Sequence, residues 1–245
     1  MSKNQQQNII YFILDMISFF SKNKGRLAIC EDSLTASIFD LLKYLPAELF
    51  WNILKKSLYQ DKLPDHSGEI LELLFWERWS PKHTNNIRFV EPDIFIRYRA
   101  FDIIIEAKRY DEFQQNDNQL ITQIASYYNE FGEEGKNVYY IQLGGLHHKD
   151  NVEDKKYKDK LIIICKTDWS RILNQVSKER RAIDHIEITS ITPYKRILDD
   201  IIRGFELHQY FKKTWLENLN NRNRIHFKIT ESLFNYANRN KGNIN

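Results

Sequence analysis

The sequence predicts an α/β fold, a mixed β-sheet flanked by helices with additional helices toward both ends. Three observations predict it. Helical apolar periods fill the first third of the chain and much of the last third, while β-branched and aromatic runs bounded by turn residues occupy the middle. A single helical segment divides those strand runs, which is the pattern of a sheet covered by helices. With 245 residues, 42% of them hydrophobic, and only 8 Gly and 5 Pro, the chain can bury a sizeable core and has little room for linkers. One domain over 1–245 is expected, its core at about 27–165 and a basic, mainly helical extension over 166–245.

The elements follow in order. An apolar run from Ile9 to Phe20 reads as a helix. Leu34, Ile38, Leu41, Leu42 and Leu45 fall at helical spacing, with Asp32 or Ser33 as N-cap and Pro46 as terminator. Ala47 to Leu58 and Glu69 to Trp79 continue in the helical style, so three or four helices are expected before any strand. From Asn86 strand formers take over, at Ile87 to Val90, Ile94 to Tyr98 and Phe101 to Ala107, with Pro92 marking a strand boundary because it lacks a ladder donor. Leu120, Ile124, Tyr127, Tyr128 and Phe131 then share one face of a helix. Val138 to Leu143 and Leu161 to Cys165 read as buried strands separated by a charged loop, Lys149 to Lys160. Helices fill Thr167 to Ser177, Lys195 to Phe211 and Thr230 to Asn238, and a polar tail closes the chain.

Composition excludes several classes. The Ile9–Phe20 run is broken by Asp15 and is far short of the ~20 residues that cross a bilayer. No small-residue cleavage site follows it, and Lys22, Lys24 and Arg26 lie on the wrong side for a signal peptide. A soluble cytoplasmic protein with no membrane partner is expected. Cys30 and Cys165 are far apart and embedded in apolar sequence, so they read as buried core thiols rather than a disulfide or a zinc site. Net charge is only +3, but residues 151–245 carry 19 Lys and Arg against 12 Asp and Glu, whereas residues 1–150 carry 17 against 21. Such a basic half fits a phosphate-backbone partner, although surplus lysine on a solvated surface looks the same.

Phe101-Asp-Ile-Ile-Ile-Glu-Ala-Lys108 carries the sharpest anomaly, a strand apolar enough to be central that ends in Glu106 and Lys108. Side chains alternate along a strand, so these two share a face. Burying either charge alone is costly, so each must meet the other, a metal, or water in a cleft. If Ile94–Tyr98 and Asp102–Lys108 form a hairpin turning near Arg99–Phe101, paired residue numbers sum to about 199–201, which sets Asp93 opposite 106–108. Two acids converging beside a lysine suit a hydrolytic centre built on a hard divalent cation such as Mg²⁺.

These residues, Pro92-Asp93 followed by Glu106-Ala107-Lys108, resemble the PD-(D/E)xK nuclease superfamily, over roughly residues 27–165. Gln123-Ile-Ala-Ser-Tyr127 matches the QxxxY signature of its RecB-type branch. Other acid-x-Lys triplets, Glu134-Gly-Lys136, Glu153-Asp-Lys155 and Asp154-Lys-Lys156, and a second Pro-Asp at Pro64-Asp65, lie in polar sequence without the strand, strand, helix context. The resemblance implies a restriction-endonuclease-like core and hydrolysis of DNA phosphodiester bonds. It implies that Asp93 and Glu106 hold Mg²⁺ or Mn²⁺ with the Ala107 carbonyl, that Lys108 orients or activates water, and that Gln123 steadies the site. Glu31, at the start of the Leu34–Leu45 helix, would assist metal or water positioning, with neighbouring Asp32 as the alternative acid. A setting in restriction or phage defence follows by analogy, with a homodimer or a defence-complex partner fitting equally. An inactive subunit of the same fold that binds nucleic acid or protein, and an RNA-directed nuclease, are the alternatives.

Further candidates are weaker. Lys155, Lys156, Lys158, Arg180 and Arg181 are the expected nucleic-acid contacts, against the plainer reading of a solvated charged surface. His147-His148 lacks a third ligand at metal spacing. Arg97 and Arg99 fall at the hairpin turn, and Trp76, Trp79 and Trp215 read as packing residues.

Overall fold

The apolar run Phe101–Ala107 forms a fully buried strand, β3, at the heart of an open sheet. It pairs antiparallel with β2 (Ile94–Arg97) and parallel with β4 (Asn137–Leu143). The computed structural model describes residues 29–110, 113–149 and 152–212. The helices expected at Ile9–Phe20 and Thr230–Asn238, and Trp215, lie outside the described residues.

Six strands run in the order β1-β2-β3-β4-β6-β5, where β1 is Glu72–Phe75, β5 is Lys155–Tyr157 and β6 is Lys160–Thr167. The β3, β4 and β6 strands are parallel to one another, and β1, β2 and β5 add antiparallel partners, so the sheet is mixed. Helices α1 (Glu31–Leu42), α2 (Ala47–Ser57), α4 (Trp169–Ala182) and α5 (Thr192–Leu207) contribute Ile38, Phe39, Trp51, Ile172, Leu198 and Phe205 to one core, packed on Ile94, Ile96, Ile103, Ile105, Ile141 and Cys165. Helix α3 (Asp117–Phe131) covers the opposite face, where Leu120, Ile124 and Tyr127 meet Trp79, Phe95, Ile104, Tyr140 and Ile164. This period-2 division between two cores gives the α/β class expected from the sequence. The described residues through Phe211 belong to one compact unit.

Several local expectations are corrected. Glu69–Trp79 is not a helix: Glu72–Phe75 pairs with Ile94–Arg97 as an edge strand. Leu73 and Phe75 face one core and Leu74 the other, a period of two that the helix-favouring Glu and Leu composition conceals. Ile87–Val90 is not a strand, since only Val90 makes a bridge, to Trp79, while Ile87 is 94% exposed. The N-cap of α1 is Cys30, whose N–H donates to the Ser33 hydroxyl at 2.9 Å, so Asp32 and Ser33 lie inside the first turn. Cys30 is accordingly only half-buried, unlike Cys165. The charged loop contains β5, which hairpins onto β6 through Lys158, at φ 52°. Among the described residues no helix is long and apolar enough to cross a membrane.

Asp102 illustrates the electrostatic logic of β3. Fully buried, it accepts from the Tyr127 hydroxyl at 2.9 Å and from Lys136 Nζ at 3.2 Å, with Arg97 at 3.8 Å. The acid-x-Lys decoy Glu134/Lys136 belongs to this structural network, at the strand end opposite Glu106.

Candidate active site

Register brings the acids together. Ile94 pairs with Ile105 and Phe95 with Ile104, sums of 199, so Asp93 arrives beside Glu106 as the hairpin rule requires. Asp93 is 8% exposed and Glu106 2%. The Asp93 carboxylate accepts the Ala107 backbone N–H at 2.9 Å through Oδ2 and the Trp76 indole N–H at 3.2 Å through Oδ1. Burial, reinforced by Glu106 beside it, holds Asp93 well above the ordinary carboxylate range.

Glu106 is surrounded by donors. Lys108 Nζ donates to its Oε1, which also accepts from Gln119 Nε2 at 2.6 Å, while Oε2 accepts from Gln123 Nε2 at 2.7 Å. Gln119 and Gln123 stand one turn apart on α3, and Gln115, just before that helix, donates to the Glu106 carbonyl at 3.1 Å. The Gln123 carbonyl oxygen is in turn held by the Tyr140 hydroxyl at 2.7 Å. Helix α3 thus serves both acids of β3, since Gln123 reaches Glu106 and Tyr127 reaches Asp102.

Lys108 lies between two acids. Its Nζ is 3.5 Å from Glu31 Oε1, and Glu31 Oε2 accepts the Arg109 backbone N–H at 2.9 Å. Burial alone would depress the lysine, but Glu106, Asp93 and Glu31 outweigh it and hold Lys108 above its usual range. Its backbone is fixed by Leu143, which accepts its N–H at 2.7 Å, and by the Trp169 indole, which donates to its carbonyl at 2.8 Å. The Gly144-Gly145 turn packs on the same segment. A Cβ on Gly144 would lie 2.2 Å from the Lys108 carbonyl oxygen, and φ is +70° there, so only glycine fits.

Asp93, Glu106, Lys108, Gln123 and Glu31 therefore converge, and of the two acids that open α1 it is Glu31 that reaches Lys108. Among the described residues no cluster of three or more His, Cys, Asp and Glu side chains is arranged to hold a metal. The donor set that fits a hard cation is two carboxylates with a backbone carbonyl, because Glu31 is committed to Lys108 and Arg109. Asp93 and Glu106 are both buried beside a lysine that Glu31 also engages, and a bound cation would add positive charge there.

The other candidates lie elsewhere. Lys155 pairs with Asp117 at 3.1 Å, Lys156 and Lys158 are exposed, and Arg180 is held by Asp199 and Asp184, each at 2.8 Å. His147 Nε2 lies 2.9 Å from the Gln115 carbonyl. Several site residues escaped sequence reasoning. Gln119 carried a signal, its four-residue spacing from Gln123, whereas Trp76 and Tyr140 looked like ordinary packing residues.

The site is thus an acid pair with a lysine, set at the ends of adjoining strands of an open mixed α/β sheet. No family model matches the sequence. The chain is 32% identical over 208 residues to "Uncharacterized protein PM0110" of Pasteurella multocida (strain Pm70), an alignment covering 81% of this chain and 78% of that protein, and it belongs to the family of that protein. Among solved structures, a "Refined half-complex from tetradecameric assembly of Thermococcus gammatolerans McrB AAA+ hexamers with bound McrC" aligns at 13% identity and a TM-score of 0.28. That alignment spans 66% of this chain and 32% of the other, too slight a likeness to bear on fold or function.

Proposed function

We propose that this chain is a metal-dependent nuclease of the PD-(D/E)xK kind that hydrolyses phosphodiester bonds of DNA. The observation that carries the reading is the meeting of Asp93, Glu106 and Lys108 at adjoining strand ends, with Glu31 behind the lysine. Asp93, Glu106 and the Ala107 carbonyl would hold Mg²⁺ or Mn²⁺, which when bound supplies Lewis-acid stabilisation of the oxygens around phosphorus. Lys108 orients the attacking water and places an ammonium beside the negative charge that develops. Glu31 keeps that ammonium charged and in place. Gln119 and Gln123 fix the Glu106 rotamer, and Tyr140 fixes Gln123. Lys155, Lys156, Lys158, Arg180 and Arg181 are the proposed contacts to more distant backbone phosphates. A restriction or phage-defence role in the cytoplasm, as a homodimer or with a defence-complex partner, is the setting we assign by analogy.

The test is a cleavage panel over linear, circular and single-stranded DNA and RNA, with Mg²⁺, Mn²⁺ or chelator. The wild type is expected to cut DNA only with the cation, and Asp93→Ala and Lys108→Ala to lose on the order of 10²-fold or more in rate. Retained cutting by both variants would overturn the site. A folded wild type that cuts nothing points to an inactive nucleic-acid-binding or complex-assembly subunit, and cutting confined to RNA points to an RNA-directed enzyme.

A further inference from the structure

The polar level of the sheet does not end at Glu106. In register, Glu106 pairs with Gln142 on β4, and Gln142 pairs with Lys166 on β6. Registered neighbours on parallel strands share a face, so the row Glu106, Gln142, Lys166 crosses three strands on the side covered by α3, with Asp93 just ahead of β2 beside it. One step inward on that face the same strands carry Ile104, Tyr140 and Ile164, all in the core. A polar row at the edge of an apolar face has a desolvation cost that packing does not explain.

Two details of the row point outward to a ligand. Gln142 is 6% exposed, yet no described residue hydrogen-bonds to its side-chain amide. Lys166 is half-buried, and its Nζ donates to the His148 carbonyl at 2.6 Å. Burial, offset in part by Asp117 and reinforced by Lys155, holds it below the usual lysine range.

We infer that Gln142 and Lys166 form a second subsite that takes the sugar-phosphate backbone next to the bond held at Asp93 and Glu106. Lys166 meets a non-bridging phosphate oxygen, and the Gln142 amide hydrogen-bonds to the backbone between. Two strand spacings, roughly 10 Å, separate Lys166 from Glu106, which lets one nucleic-acid strand touch both. This inference rests on the nuclease reading for its substrate, but not for its assay.

Binding of a fluorescent DNA oligonucleotide is measured by anisotropy in chelator, where nothing is cut, across a salt series. Lys166→Met is expected to weaken binding several-fold and to lower the slope of log affinity against log salt by about one phosphate contact. Lys166→Arg should restore the slope. Gln142→Leu should weaken binding and leave the slope unchanged, since no charge is lost. With Mn²⁺ present, Lys166→Met should raise KM and spare kcat. An unchanged slope in Lys166→Met of wild-type Tm overturns the subsite, and if that variant does not fold, Lys166→Gln is read in the same way. A folded wild type that binds no oligonucleotide overturns it too. A lowered slope in a chain that cuts nothing keeps the subsite and removes the nuclease. Cutting with an unchanged slope does the reverse.

Discussion

Replacing Tyr140 with Phe removes one oxygen from the centre of the site and changes almost nothing else. The ring keeps its place against Ile104 and Leu120, so no cavity opens. What is lost is the 2.7 Å hydrogen bond to Gln123 Oε1, on a glutamine only 1% exposed. The orphaned acceptor has no water to turn to, which costs roughly 1–3 kcal/mol. For a chain of this size that is a fall in Tm of roughly 2–12 °C. The functional cost arises one bond further on. Gln123 is no longer held with its amide toward Glu106 Oε2, so Glu106 samples other rotamers, and kcat for metal-dependent cleavage should fall about tenfold while KM holds. The assay is thermal unfolding of the wild type, Tyr140→Phe, Gln123→Leu and the double variant, with cleavage kinetics on each. Because Gln123→Leu removes the acceptor as well, Tyr140→Phe should cost much less in that background, a coupling of ~0.5–3 kcal/mol. Equal losses in both backgrounds, or a Tyr140→Phe protein with wild-type Tm, would refute the relay from Tyr140 through Gln123 to Glu106.

Two other perturbations read different parts of the molecule. Gly144→Ala forces a Cβ to within 2.2 Å of the Lys108 carbonyl at φ +70°, so it should lower Tm by more than an ordinary surface change and should abolish cleavage by displacing Lys108; wild-type behaviour in both would show that the turn does not fix that segment. His208 is 5% exposed, and burial, with Arg109 nearby, lowers its pKa to about 4 against the Ser33 hydrogen bond, so folding favours the neutral ring. Its contribution is full above the unfolded value of about 6.5 and is lost as pH falls from there to about 4, up to about 3 kcal/mol. Chemical denaturation across that window should show the loss in the wild type and less of it in His208→Gln; matching pH curves would disprove the assignment.

How much of this was legible beforehand depends on the range of the interaction. The hairpin of β2 and β3 and the convergence of Asp93 with Glu106 followed from a short turn and a period of two, both local properties of the chain. The helical spacing of Gln123 and Tyr127 was equally local. Glu72–Phe75 was not legible, because its residues favour helix and only pairing with Ile94–Arg97 makes them a strand. Nothing in the sequence aims the Trp76 indole at Asp93 or the Tyr140 hydroxyl at Gln123, since those directions are set by which surfaces meet. The row through Gln142 to Lys166 needed the order β3-β4-β6, which places residues far apart in sequence side by side. For β2 and β3 the sequence alone determined which chemical groups the strands carry and on which face. Tertiary pairing decided which of them are neighbours, because strand order and helix docking are fixed by burying the whole apolar surface at once, a sum that no single segment contains.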